Sequence, residues 1–453
     1  MDPKTVRKPG SSAELPARPV ERWLTPARKF LHVESASGVV LLTCTVVALA
    51  LANSPLAGQF AALWHTHVAL ALGPMELSGD LGHLVINDGL MAIFFFIVGL
   101  EIKREVISGE LREPRKALLP VVAALGGMVV PALIYTALQW GQPGQRGWAI
   151  PMATDIAFVV GFLALFGPRV PFGLKILLLS LAIVDDLGAV LIIATVFTGS
   201  LAWDWLAVAA GLLTLTYGMN RAGVRSVGVY LIVGVGVWLA VYKSGVHPTV
   251  AGVVLGFMTP SRPWLETGRF RAVVGRLRET LNDPSTPDGR RAAALDEVQF
   301  AARESLSPLH RLETALHPWV AFGIMPLFAL ANAGVPVQVS ALGDPVALAV
   351  AAGLALGKPL GVLLFCFVAV KLKLTKLPDG VGWGLMTGGA CLAGIGFTMA
   401  LFVNGLAFPG DQFAGMATAG KVGTLLGSVV SATLGAVILM VAVAAKRKAS
   451  VPA

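Results

Sequence analysis

Charge is what this sequence has least of. Only 13% of its 453 residues are Asp, Glu, Lys or Arg, against 55% that are hydrophobic. A soluble domain carries about 25% charged residues, so the composition excludes an ordinary soluble protein. Mean hydropathy is +0.75. Cysteine is nearly absent. Cys44, Cys366 and Cys391 all lie in apolar stretches. That leaves no disulfide framework and no metal-ligand spacing, and the three read as small core residues. Basic residues are missing from whole loops and gathered in others, so the net charge of +9 does not point to nucleic acid. No cofactor is expected. The implied surroundings are a lipid bilayer, and at about 20 residues per span the chain has room for about ten to thirteen membrane helices.

The first apolar run, Gly38 to Ala52, follows a basic stretch and ends in Ala50-Leu51-Ala52. That is the outline of a cleaved signal peptide. The segment before it is long for such a leader, and the later spans are oriented only if this one stays, so it is read as retained.

Twelve spans follow from the apolar runs. Residues 1–35 form a polar N-terminal tail, expected to be mostly disordered. Spans 1, 2 and 3 cover about 36–53, 82–106 and 117–138. Between the first two, 54–81 is polar and glycine-containing, and alternation around Gly73-Pro74 predicts a hairpin at 64–78. Span 4, about 148–166, is interrupted by Pro151, Thr154 and Asp155. Span 5 covers about 172–197, and spans 6 to 8 about 203–218, 226–241 and 246–258. An insertion at 259–306 holds two amphipathic segments, about 265–281 and 288–305. Span 9 starts at Pro308 behind Ser307, an N-cap followed by proline at the first helical position. Spans 10, 11 and 12 cover about 346–370, 382–407 and 415–445. The domain thus runs over 36–445, with a short tail at 446–453. Glycines break span 11 at Gly394-Ile395-Gly396.

Charge orders these spans. Lys or Arg occurs in the N-terminal tail, 103–116, 166–171, 219–225, 259–307, 371–376 and 446–448. The alternate loops 54–81, 198–204, 333–345 and 409–414 have none, and the remaining two have only Arg146 and Lys243. Basic loops stay in the cytoplasm, so both termini are expected there. Spans 4 and 11 are each the middle of a triplet, 3–5 and 10–12. Paired interrupted helices in corresponding positions mark inverted repeats and a transport site at their interface. The fold class is therefore an all-α polytopic membrane protein.

Inside this apolar frame the few charges stand out. Asp185 and Asp186 are adjacent in the middle of span 5. One ionisable residue at the bilayer centre already costs about 2.5–3.5 kcal/mol on insertion scales. Neighbours on a helix point about 100° apart, so the two acids do not share a partner easily. One faces Lys358 of span 10 while the other faces water. A hard monovalent cation takes carboxylate and carbonyl oxygens. A single carboxylate then holds a proton or a cation, not both, which is a physical basis for antiport. Two crossing half-helices bring like ends of their dipoles together. Asp155 offsets the positive ends or binds the ion directly. Lys358 offsets the negative ends or pairs with Asp185. Asp88 lies nearer the external end of span 2.

Glu101, Lys103, Arg104 and Glu105 end span 2. They form either a pH-responsive vestibule or a solvated helix end at the headgroups, and the latter is the simpler reading. Glu313, His310 and His317 at the start of span 9 pose the same choice, since histidine titrates near neutral pH. His247, before Pro248, reads first as a capping or packing residue. The arginines of the insertion either touch anionic lipid or belong to a solvated hairpin.

At these residues the chain resembles the NhaA family of sodium/proton antiporters, a family that also serves as a standard example of inverted repeats and broken helices. The resemblance is carried by Ile86-Asn87-Asp88-Gly89-Leu90-Met91-Ala92, by Val98-Gly99-Leu100-Glu101-Ile102-Lys103-Arg104-Glu105 and by Gly147-Trp148-Ala149-Ile150-Pro151. It continues in Ala153-Thr154-Asp155-Ile156-Ala157-Phe158, Asp185-Asp186-Leu187-Gly188 and Lys243-Ser244-Gly245-Val246-His247. It ends in His317-Pro318-Trp319-Val320-Ala321, Gly357-Lys358-Pro359-Leu360-Gly361 and Gly394-Ile395-Gly396-Phe397-Thr398-Met399. What it implies is an inner-membrane exporter of Na+ (and Li+) in exchange for H+, two protons per Na+. Asp186 would carry the ion and proton, with Asp185 completing the Na+ site and Lys358 paired to Asp185. Asp155 and Thr154 would lie at the helix crossing, and Asp88 would be a supporting acid. Glu101, Glu105 and Glu313 would belong to the pH-sensing region, and His247 matches a histidine linked to pH response; His317 remains a candidate for it on its own chemistry. Two departures stand in that regulatory region: Thr314 replaces a histidine, and the loop before span 9 is longer.

Two rivals remain. A sodium-coupled organic-anion symporter on a similar fold would need a substrate cavity. An intramembrane aspartyl protease would need one acid on each of two helices, which adjacent acids fit poorly. The hairpin at 64–78 has strand edges through which a homodimer is expected to form.

Overall fold

Backbone groups in lipid must bond within their own segment, so apolar spans become helices. The fold comes from a computed structural model that describes residues 34–449 except 73–74, 225–226, 284 and 337–341. The tail expected over 1–35 and the end of the one at 446–453 lie mainly outside the described residues.

Helix α1 is Glu34–Ala52 and α2 is Ala57–Trp64, which turns back from it by 119°. Helix α3 runs Leu81–Ser108 and α4 Pro114–Leu138. A tight 3-10 stretch, Pro143–Met152, then leads through an extended link into α5, Ile156–Phe166. Helices α6 (Phe172–Val196), α7 (Trp203–Arg221), α8 (Val227–Lys243) and α9 (Thr249–Met258) follow. The insertion forms α10 (Thr267–Asn282) and α11 (Asp288–Glu304). The last helices are α12 (Pro308–Asn332), α13 (Pro345–Lys371), α14 (Trp383–Ala393), α15 (Phe397–Ala407) and α16 (Ala414–Ala449). Six described helices are long and apolar enough to cross a membrane, or nine if each bent pair counts as one span; α8 and α9 are apolar but shorter. The result is a mainly helical, multi-pass membrane fold.

Two local features were not legible from the apolar runs, and one expected feature is present. Helix α2 occupies part of the polar stretch 54–81. The hairpin expected at 64–78 is there: His67–Leu72 (β1) and Met75–Asp80 (β2) pair antiparallel in a register from His67↔Asp80 to Leu72↔Met75. The ladder extends past residue 78, and the Leu81 N–H donates to the Thr66 carbonyl just beyond it. Finally, Leu81–Leu90, Val320–Ile324 and Gly353–Gly357 are wound as π-helix, a form that recurs at functional sites.

Packing follows from small residues. The main core joins α3, α4, α6, α13, α16 and both broken pairs. At Gly126 a Cβ would fall 2.3 Å from the Gly361 carbonyl, so α4 and α13 touch backbone to backbone. Such glycine contacts replace the hydrophobic drive that lipid removes. A smaller cluster, Ala209, Val237, Ala240, Val241 and Ala251, joins α7, α8 and α9. Helix α16 buries hydroxyls inward while Val429 and Val441 point outward, each 64% exposed.

Ser307 caps α12, its hydroxyl accepting from the His310 N–H. In the insertion, Arg276 pairs with Glu297 at 2.8 Å, and the Trp264 and Leu265 N–H groups donate to the Glu304 carbonyl.

Candidate functional site: a buried acid pair beside two crossing broken helices

The two breaks arise from residues that cannot continue a helix. Pro151 ends the stretch Pro143–Met152, and Ala153–Asp155 runs extended before α5. Gly394–Gly396 separates α14 from α15. The bends are 41° and 44°. The links lie against each other: the Asp155 N–H donates to the Ile395 carbonyl at 2.7 Å.

Helix ends freed at such a crossing need partners, and here they are side chains. Asp155 accepts the Phe158 N–H at 3.3 Å, capping its own helix α5. Its other oxygen accepts the Thr398 N–H at 3.1 Å and the Thr398 hydroxyl, capping α15. One carboxylate thus serves two positive helix ends. Thr154 serves a negative end, its hydroxyl donating to the Ala393 carbonyl of α14 at 2.9 Å. The Phe397 N–H donates to Ser428 of α16 at 3.1 Å. Thr398 and Ser428 were not singled out in sequence. Only their proximity to the breaks gave a signal, since hydroxyls recur throughout membrane helices.

Lys358 follows the π-helical turn of α13 and is fully buried. Its ammonium lies 2.6 Å from Asp185 Oδ2 and also donates to the Met152 carbonyl at the end of the first half-helix. Both roles considered for this lysine are therefore present together.

Asp186 is different. It is 1% exposed, like Asp185 and Asp155. The Oδ1 atoms of both Asp185 and Asp186 have no hydrogen-bond partner, but Asp185 keeps Lys358 on its other oxygen, whereas no ion pair or hydrogen bond to Asp186 occurs among the described residues. The negative charges of Asp185, Glu101 and Asp155 act on it, opposed by the more weakly felt positive charge of Lys358. A buried carboxylate left unmatched is an open coordination position for a proton or a hard cation.

The remaining candidates fall into two groups at opposite ends of α3. At one end, Arg104 pairs with Glu313 of α12 and lies 3.6 Å from Glu105. Glu105 also accepts the Glu110 N–H at 3.1 Å. Lys103 donates to the Phe257 and Thr259 carbonyls at 2.7 and 2.5 Å. A cavity of about 180 Å³ beside this network is lined by Arg104, Ser108, Ser261, Ser307 and His310, with Ile107 and Leu309. Glu101 sits one turn from Glu105, and its charge acts on Asp186. His317 does not join the group; it is exposed and has no polar partner among the described residues.

At the other end, Asp88 is 2% exposed. His247 Nε2 lies 3.6 Å from its Oδ1, and His83 Nδ1 lies 3.2 Å from its Oδ2. His247 also contacts the Thr249 hydroxyl at 2.8 Å. His83 went unnoticed in sequence.

Comparison with known proteins shows the family. The profile of the family described as Na+/H+ antiporter 1 matches residues 28–439. A Rhodopirellula baltica protein named Na(+)/H(+) antiporter NhaA is 51% identical over 428 residues, 94% of this chain and 96% of that one. An Acidiphilium cryptum protein named Na(+)/H(+) antiporter NhaA 2 is 50% identical, over 94% of each chain. A Rhizobium meliloti protein named Na(+)/H(+) antiporter NhaA is 44% identical, over 97% of this chain and 99% of that one. With a profile match and relatives that each extend over nearly its whole length, the chain belongs to the Na+/H+ antiporter 1 family.

Proposed function

We propose that the protein exchanges Na+ (or Li+) for H+ across the inner membrane, with Asp186 as the carrier of both. The observation that carries this reading is the contrast within the acid pair: Lys358 holds Asp185, and Asp186 is buried without a partner. Asp186 takes a proton or a cation, and Asp185 supplies oxygen to the cation when Lys358 yields. Asp155 and Thr154 hold the crossing together around it. Asp88 supports the far end of the path, and Glu101, Glu105 and Glu313, with His247 and His317, tune the response to pH.

In this reading the chain has twelve spans. The bent α1–α2 pair counts as one, each broken pair as one, and α7, α8 and α9 as one each. Spans 3–5 and 10–12 are inverted repeats that rock against the rest, and both termini are cytoplasmic. The acidic end of α3 is then the cytoplasmic mouth for Na+. Movement occurs only when Asp186 is neutralised by proton or cation, because a bare charge would be costly to carry through the closed state. Two protons for one Na+ brings in one net charge per cycle, worth about 2.3 kcal/mol per 100 mV of membrane potential. The β1–β2 edges join two copies in a homodimer.

Everted vesicles holding a proton gradient test the reading. Added Na+ is expected to collapse the gradient, and Asp186→Asn is expected to abolish the collapse. Exchange that survives in that variant at the wild-type rate sinks the assignment. Na+-driven uptake of a labelled organic anion would favour the symporter instead.

A further inference from the structure

The end of α3 away from Glu101 carries a second ionisable cluster, in which His83 has no role in the exchange as proposed above. Asp88 and His83 are five residues apart. On an α-helix such residues point about 140° away from each other. Here Leu81–Leu90 is wound as π-helix, whose bonds run from i to i+5, and His83 Nδ1 comes to 3.2 Å from Asp88 Oδ2. The winding is held from outside. Trp238 of α8 donates its indole N–H to the Asp88 carbonyl at 3.0 Å, and Asn332 of α12 donates to Asn87 at 3.0 Å.

The three groups differ in access. The His83 side chain is 72% exposed, Asp88 3% and His247 10%. They lead from the protein surface at His83 to its interior. The inner histidine stacks edge-on against Phe402 of α15, with centroids 5.5 Å apart, and α15 is the half-helix that Asp155 caps. Other titratable groups facing the cluster are Asp80, already bonded to His65 at 3.2 Å, and Tyr242 of α8.

We propose that His83, Asp88 and His247 form a proton-loading station, with His83 as the collector that titrates and Asp88 as the acceptor. A proton from water binds His83 Nε2. The Nδ1 proton passes to the Asp88 carboxylate, leaving neutral imidazole in its other tautomer and a neutral carboxyl, so charge and protons balance. Histidine suits the task because it exchanges protons near neutral pH, and the 3.2 Å contact lies at the upper limit of direct transfer. The inference rests on the proton/Na+ exchange proposed above and adds the place where protons enter.

The test uses the full chain in proteoliposomes, with pH set independently on each side and Na+ supplied from the side of Glu101. In His83→Asn the amide N–H keeps a bond to Asp88 but does not titrate. The expected result is a several-fold slower exchange when the His83 side is at neutral to alkaline pH. The half-activation pH on that side moves toward acid, and the Na+ KM on the other side stays as in wild type. Asp88→Asn gives the same shift, and the double variant adds nothing to it. A wild-type pH profile in His83→Asn overturns the station and assigns His83 a packing role only, as does an equal shift on both sides. Absence of any Na+-dependent proton flux in the wild type would instead overturn the exchange reading itself.

Discussion

Asp155 and Asp186 are equally buried, each 1% exposed. Asp155 accepts from the Phe158 and Thr398 N–H groups and from the Thr398 hydroxyl. Asp186 has no partner among the described residues. The same residue type at the same burial thus has two different surroundings, and in the proposed mechanism two different jobs. A carboxylate that completes a network fixes a geometry, and removing it loosens that geometry. A carboxylate left open leaves affinity to spare for an ion that comes and goes. Burial by itself does not tell the two apart; the count of donors does.

Substitutions that alter that count should separate the two sites. Lys358→Ala has the largest expected effect, because it turns Asp185 into a second open acid and strips the Met152 carbonyl of its ammonium. Removing one partner of a buried pair costs about 3–5 kcal/mol, read as a lower thermal midpoint in detergent. Replacing both partners, Asp185→Leu with Lys358→Met, should recover most of that loss in stability without recovering exchange. Asp155→Ala comes next. It leaves donors at two helix ends unmatched, at about 1–3 kcal/mol for a buried unsatisfied group, so it should lower stability where Asp186→Asn does not. A stability loss in Asp186→Asn equal to that in Asp155→Ala would erase the distinction. Ser428→Ala has the smallest effect, about 1 kcal/mol for one lost bond to the Phe397 N–H, and should leave the Na+ KM unchanged.

The sequence was most informative where one physical rule decides the outcome. Apolar run length outlined the helices. Pro151 and the pair Gly394 and Gly396 marked both breaks, because neither residue type favours a continuous helix. Ser307-Pro308 marked the start of α12. The acid pair was conspicuous on energetic grounds alone. Choosing Asp186 over Asp185 as the carrier came from the family resemblance, since spacing treats the two alike. What stayed hidden depends on distant contacts. That Asp155 reaches Thr398, 243 positions along the chain, is a property of the crossing and not of either segment. Helix α2 was missed because its eight residues are too few to show a periodic face. His83 was missed because an i, i+5 pair meets only on a π-helical turn, and winding of that kind leaves no pattern in the sequence.

The central claim is that a proton and Na+ exclude each other at Asp186. Proton release on adding Na+ to the purified protein in weakly buffered detergent, followed with a pH indicator, tests it directly. The sign follows from competition. Lowering the pH fills the carboxylate and weakens Na+ binding, so the apparent Na+ affinity should rise by about tenfold per pH unit for each competing proton. The rise stops once the carboxylate is already free. The account predicts proton release in the wild type, growing with Na+ and saturating, and none in Asp186→Asn. Na+ binding that releases no proton, or release of the same size in Asp186→Asn, would contradict it.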